Sequence, residues 1–211
     1  MIAVSILVAA CQAPIPASAA PTPPGSSTGG PVQVQPASPA GRIAAAFAAM
    51  TGGYTYDTQI TVAGNVASQV TGRWVGGASE FILEAAGQSV TYRAIPPQAW
   101  VLKPGSAWVE VTGGLPSGDP VAMLAKPAGL QVISNAADAL VVDATYPPSA
   151  LGLTGTAVVT VRLTLAADGS VTASYTTQMS TGPAISTTVL KPASGLAPVV
   201  APTQSAAATA G

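Results

Sequence analysis

The chain has no histidine, a single cysteine and few charges. Without an imidazole there is no His general base, no Ser-His or Cys-His nucleophile and no ordinary zinc site. One cysteine, Cys11, excludes an intramolecular disulfide. Charged residues are 7% of the 211 positions, against about 25% in a typical soluble domain. The seven basic residues run from Arg42 to Lys191 without clustering, so nucleic acid is not an expected partner. Long apolar runs are missing too. Mean hydropathy is +0.47, yet no stretch reaches the ~18–20 apolar residues that span a bilayer as a helix. Ala and Val raise the average without making a span.

What is present begins at the N-terminus. Residues 1–10 carry a short apolar segment, Ile2 to Ala10, broken only by Ser5. It ends in Ala9-Ala10-Cys11, which resembles a bacterial lipobox: an apolar run, two small residues, then the cysteine that receives lipid. The expectation is a signal peptide over 1–10 and a lipid anchor on Cys11, holding the protein on the extracytoplasmic side of the cell membrane. From Gln12 to Ala40 the chain is rich in Pro, Ala, Ser and Gly and has no charge. Such a segment buries too little to offset its ordering entropy, so 11–40 reads as an extended tether.

Residues 41–202 read as one folded domain, and 203–211 as a low-complexity tail. Ile43 and Phe47, at i and i+4, share a helix face within Arg42–Met50, and Thr51-Gly52-Gly53 ends that helix. The period then becomes two. Tyr54, Tyr56, Ile60 and Val62 alternate with Thr55, Asp57, Gln59 and Thr61, as in a half-buried antiparallel strand.

Hairpin registers follow from requiring apolar sets to meet on one face. A three-residue loop at Ala63-Gly64-Asn65 sets Tyr54 opposite Trp74 and Val62 opposite Val66. A two-residue turn at Ala86-Gly87 sets Phe81 opposite Tyr92, Leu83 opposite Val90, and Glu80 opposite Arg93. A three-residue loop at Ala167-Asp168-Gly169 sets Leu165 opposite Val171 and Arg162 opposite Ser174. Pro104-Gly105 joins Gln98–Leu102 to Ala107–Val111 in an ambiguous register. Asp119-Pro120 then Val121–Ala125 predicts a helix capped by Asp119. Strands follow at Gln131–Ile133 and Ala139–Thr145, a turn or short helix at Ser149–Leu153, and a last strand at Ala184–Leu190.

The fold class is therefore α+β, mostly β: a single curved antiparallel sheet with a few helices packed on one side. Its inner face carries Trp74, Phe81, Leu83, Tyr92, Val161, Leu163 and Tyr175. Its outer face is rich in Thr, Ser and Gln.

The order of features is distinctive. A lipobox, a Pro-rich tether and a helix precede strands containing Trp100-Val101-Leu102-Lys103-Pro104-Gly105-Ser106-Ala107-Trp108. A helix at Asp119–Lys126, the Leu163–Gly169 hairpin and a terminal Val199–Pro202 follow. This order resembles the actinobacterial LppX/LprG-type lipoproteins and, more distantly, the LolA-type lipoprotein carriers. The resemblance implies a half-barrel closed on its concave side by helices, with an apolar cavity for the acyl chains of a lipid or lipoprotein in transit across the cell envelope. The expectation is a monomer without cofactor or metal. Tyr56, Val70, Trp74, Phe81, Leu83, Tyr92, Trp100, Leu102, Val161, Leu163 and Tyr175 are the candidates to line that cavity, with Met123 and Leu124 as its lid.

Enzyme motifs fare worse. Gly25-Ser26-Ser27-Thr28-Gly29 has the G-x-S-x-G spacing, but it falls in the tether of a chain without His. Glu80 and Glu84, four residues apart on a strand, stand ~13 Å apart, too far for the ~5–9.5 Å of a glycosidase pair. Asp138 and Asp143 are too few for calcium. A surface-displayed, non-enzymatic module binding a protein or cell-wall glycan on the outer face is the alternative. An enclosed cavity of several hundred Å³ favours the carrier.

Overall fold

The computed structural model describes residues 38–111, 119, 121–179 and 182–203, and the backbone of 205–206. Cys11, the tether, the G-x-S-x-G spacing and most of the tail lie outside the described residues. More than half of the described residues belong to one open sheet, and one α-helix, α1 (Pro39–Ala48), packs against it.

The helix starts earlier than residue 41. The Ser38 side chain accepts a hydrogen bond from the Gly41 amide at 3.1 Å, and Pro39 takes the first position, where its missing N–H costs nothing. Ile43 and Phe47 are buried in the main core, as their spacing predicts. Arg42 ties the helix to the sheet edge, donating to Asn135 Oδ1 at 2.6 Å and to the Ala136 carbonyl at 2.8 Å.

The first meander comprises β1 (Tyr54–Val62), β2 (Asn65–Val75), β3 (Ala78–Ala85), β4 (Gln88–Ile95), β5 (Gln98–Leu102) and β6 (Trp108–Glu110). The second comprises β7 (Gly129–Asn135), β8 (Ala139–Tyr146), β9 (Val159–Ala166), β10 (Val171–Met179) and β11 (Gly182–Pro192). The meanders join where β1 pairs with β11, giving the order β6-β5-β4-β3-β2-β1-β11-β10-β9-β8-β7. All of these pairs are antiparallel. A two-residue strand, β12 (Ser205–Ala206), adds parallel to β6, inside the segment read as a tail. The sheet does not close into a barrel.

The hairpin rule gave most registers correctly. Tyr54 lies opposite Trp74, Phe81 opposite Tyr92, Glu80 opposite Arg93, and Leu165 opposite Val171. The first turn differs. Ala63-Gly64 is a two-residue turn, Val62 pairs with Asn65, and a bulge between Ile60 and Thr61 restores the predicted register further in. The predicted helix at Val121–Ala125 is instead a run of tight turns, with i to i+3 bonds from Ala122 to Asp119, Leu124 to Val121 and Lys126 to Met123. Ser149–Leu153 resolves into a single 3-10 turn at Pro148–Leu151, closed by Gly152 in the left-handed conformation.

The densest packing lies under the second meander. Leu140, Val142, Ala144 and Tyr146 alternate inward on β8, facing Val161, Leu163 and Leu165 of β9, and all are buried beside Ile43 and Phe47. The outer face of β2–β4 carries a charged ladder instead. Glu80 accepts from Arg73 at 2.8 Å and from Arg93 at 2.6 Å.

Candidate functional site

Between the two meanders, on the concave face, the sheet holds a cavity of about 610 Å³. Its floor comes from central strands: Tyr54, Tyr56 and Thr58 of β1, Trp74 of β2, Phe81 of β3. Ala173 and Tyr175 of β10 with Thr188 and Leu190 of β11 continue it on the other side. These residues share one face because cross-strand partners do: Tyr56 pairs with Gly72 and Leu190, and Gly72 with Phe81.

Gly72 makes the floor possible. A Cβ there would lie 2.6 Å from Tyr56 Cζ and 2.6 Å from Phe81 Cβ. The Tyr56 ring therefore lies across β2 in the space a side chain would take. Glycine inside a strand is a signal for such a close approach, and sequence reading passed over it.

The roof is the turn segment around Val121, Met123 and Leu124 together with Ser149–Gly152. Two tyrosines of the sheet hold the first part in place. The Tyr54 hydroxyl donates to Asp119 Oδ1 at 2.8 Å, and the same oxygen accepts the Val121 amide at 2.9 Å. The buried Tyr146 hydroxyl donates to the Leu124 carbonyl at 2.7 Å. Asp119, expected as a helix cap, caps a turn and anchors the roof.

The electrostatics are those of a neutral chamber. Among the described residues Asp119 is the only carboxylate in the lining, and no Lys or Arg lines the cavity. Burial, then the hydrogen bond and charge of Asp119, push the Tyr54 phenol far above its ordinary value. Burial does the same to Tyr56, and pushes Tyr146 up to about 12. All three stay protonated at physiological pH, and in that form Tyr54 and Tyr146 donate to the roof.

Of the predicted lining, Tyr56, Trp74, Phe81, Met123, Leu124 and Tyr175 meet at the cavity. Val70, Leu83 and Tyr92 lie on the same face beyond it, half-buried, with Tyr92 stacked on Phe81 at 4.9 Å between centroids. Val161 and Leu163 are fully buried core and line nothing.

Trp100 and Leu102 are corrections. Trp100 pairs with Arg93 and Leu102 with Thr91, which sets both on the outer face; Ala99 and Val101 face inward. Trp100 is nevertheless buried. Arg93, its neighbour, lies 4.8 Å over the Trp108 ring and donates to the Val200 carbonyl at 3.3 Å, so the C-terminal segment lies against this face. Burial from the outer side made an outward tryptophan look like an inward one.

Among the described residues no cluster of His, Cys, Asp or Glu could hold a metal ion, and no helix is long and apolar enough to cross a membrane. The fold defines a class: an open antiparallel half-barrel with a roofed cavity on its concave face. No protein-family model and no curated protein matches the chain.

Proposed function

We propose that this protein is a non-enzymatic, membrane-anchored lipoprotein that holds acyl chains of a lipid or lipoprotein in its concave cavity during passage across the cell envelope. One observation carries the reading: a roofed cavity of about 610 Å³, floored by aromatic and aliphatic side chains and, among the described residues, free of basic groups. That volume is within the ~300–1,000 Å³ of small-molecule sites. Each buried CH₂ contributes about 0.8 kcal/mol, so a sixteen-carbon chain gains on the order of 10 kcal/mol. This offsets an association cost of ~4–15 kcal/mol. The phenol hydroxyls of Tyr56 and Tyr175 offer hydrogen bonds to an ester or hydroxyl at the chain's polar end. The anchor is the diacylglycerol expected on Cys11, and the carrier acts as a monomer.

The test is native mass spectrometry of the full chain purified from its host, beside a Cys11→Ser variant and titration with a fluorescent acyl probe. One non-covalent acylated ligand per chain is expected in both forms, with the variant lost from the membrane fraction. Ligand-free protein that also fails to take up the probe would sink the carrier reading.

A further inference from the structure

The sheet has an opening that the cavity does not explain. β9 and β10 pair from Leu165–Val171 to Arg162–Ser174 and no further. Both strands continue past that point. Val161, Thr160 and Val159 of β9 stay paired to β8, and Tyr175–Met179 of β10 stay paired to β11. The strands thus part like the arms of a Y. Between them lies a cleft of about 1070 Å³, lined by outward residues such as Ser174 and Thr176 and by inward Tyr175 and Thr177. Its lining takes residues from both faces of the sheet and from the loop at 153–158.

The alternation of antiparallel bonds tells which main-chain groups point into the cleft. The Ala166 amide donates to the Ser170 carbonyl at 3.0 Å, so on this side the even-numbered residues exchange bonds. The next such positions are Thr160 opposite Thr176 and Val158 opposite Gln178. On the other side of β9 the Ala167 amide bonds the Asp138 carbonyl, so its odd-numbered residues serve β8. The N–H and C=O of Thr160, Thr176 and Gln178 therefore face the opening, and none has a backbone partner across it among the described residues.

Unpaired strand edges are templates for another strand. The charge balance narrows the occupant. Among the described residues the only ion pair at the cleft is Arg162 with Asp143, which neutralise each other through two bonds of 2.9 Å. Exposed Val158 and Met179 stand at its rim. An acyl chain would leave the main-chain groups unanswered; a backbone answers them.

We propose that the cleft between β9 and β10 is a docking site for an extended, uncharged peptide segment of a partner protein, which completes the sheet as an inserted strand. The peptide runs antiparallel to β10, the longer free edge, and therefore parallel to β9. About five residues fill it, matching Tyr175–Met179, with small or β-branched side chains set alternately on the two faces.

The test uses isotope-labelled full chain and a capped, alternating threonine–valine pentapeptide. A second peptide of the same sequence, N-methylated at alternate amides, keeps the side chains and loses the donors. The expected result is at least tenfold slower hydrogen exchange at the Thr160, Thr176 and Gln178 amides with the first peptide, and no change with the second. Gln178→Pro should weaken binding at least tenfold while the β10–β11 amides stay protected, because that N–H points away from β11. Equal binding of the two peptides would overturn the proposal. So would protection of these amides in the free monomer, concentration-dependent protection by self-association, or their protection by an acyl probe alone.

Discussion

At the residue scale, Gly72 shows how one missing side chain shapes a site. The Tyr56 ring occupies the position a Cβ would take, and Phe81 closes in from the next strand. Gly72→Ala forces the ring off its rotamer and into the cavity. We expect a loss of ~1–3 kcal/mol, the usual cost of overpacking, read by urea denaturation. The same variant should take up less acyl probe. A stability change within ~0.5 kcal/mol, the range of an inert surface substitution, would mean the tyrosine has another place to go.

At the element scale, the hairpins separate what was legible from what was not. Their registers could be read because two independent signals, apolar pairs inside and Glu80 opposite Arg93 outside, agreed on one alignment. The helix α1 was legible from Ile43 and Phe47, but its start was not, because Ser38-Pro39 resembles the tether before it. The Val121–Leu124 segment has the composition of a helix and too little length to nucleate one; Asp119 and Tyr54 fix it as turns instead. Six of the predicted lining residues meet at the cavity. Trp100 and Leu102 were misplaced because an apolar side chain does not declare which face of a sheet buries it. The turns also carry a defect. Ala86 holds φ at +50° and Ala63 does likewise, each before a glycine that is also positive. Alanine is disfavoured there by about 1–2 kcal/mol, whereas Asn tolerates the conformation. Ala86→Asn should therefore raise the unfolding midpoint, with a gain of ~0.5–1 kcal/mol in chemical denaturation. A fall in the midpoint would contradict the turn geometry.

At the scale of the whole molecule, the absence of His leaves no side chain with an ordinary pKa between about 5 and 8. Stability should be nearly flat across that window. Below it, three carboxyls act together. Burial raises the Glu80 pKa, but hydrogen bonds and charge from Arg93 and Arg73 lower it by more. The hydrogen bond from Arg162 lowers Asp143, and bonds from Ser170 lower Asp168. Each pKa is depressed in the folded state, so the unfolded chain binds more protons as pH falls. The stability these groups contribute is present above the ordinary carboxylate range and disappears as pH drops through their folded values. Glu80→Gln should destabilise the protein at pH 7 by on the order of 1 kcal/mol, the scale of exposed ion pairs. It should cost far less at pH 2. A penalty equal at both values would mean that the ladder works through packing and not through charge.

The joining of the two meanders also bears on synthesis. Every other strand in the order pairs with one made just before or after it, save for the short β12 and the β6–β7 break. The bond between Thr58 and Thr188 spans 130 positions of chain. The first six strands can form as soon as they emerge, but β1 must then wait, its outer row of amides bare, until the last long strand arrives. During that interval the nascent chain resembles a half-zipped garment whose open teeth would accept any similar strand nearby. Asp57, midway along the waiting strand, is the charge best placed to discourage a wrong partner. The order of manufacture thus makes the company of other unfinished chains a hazard for this protein.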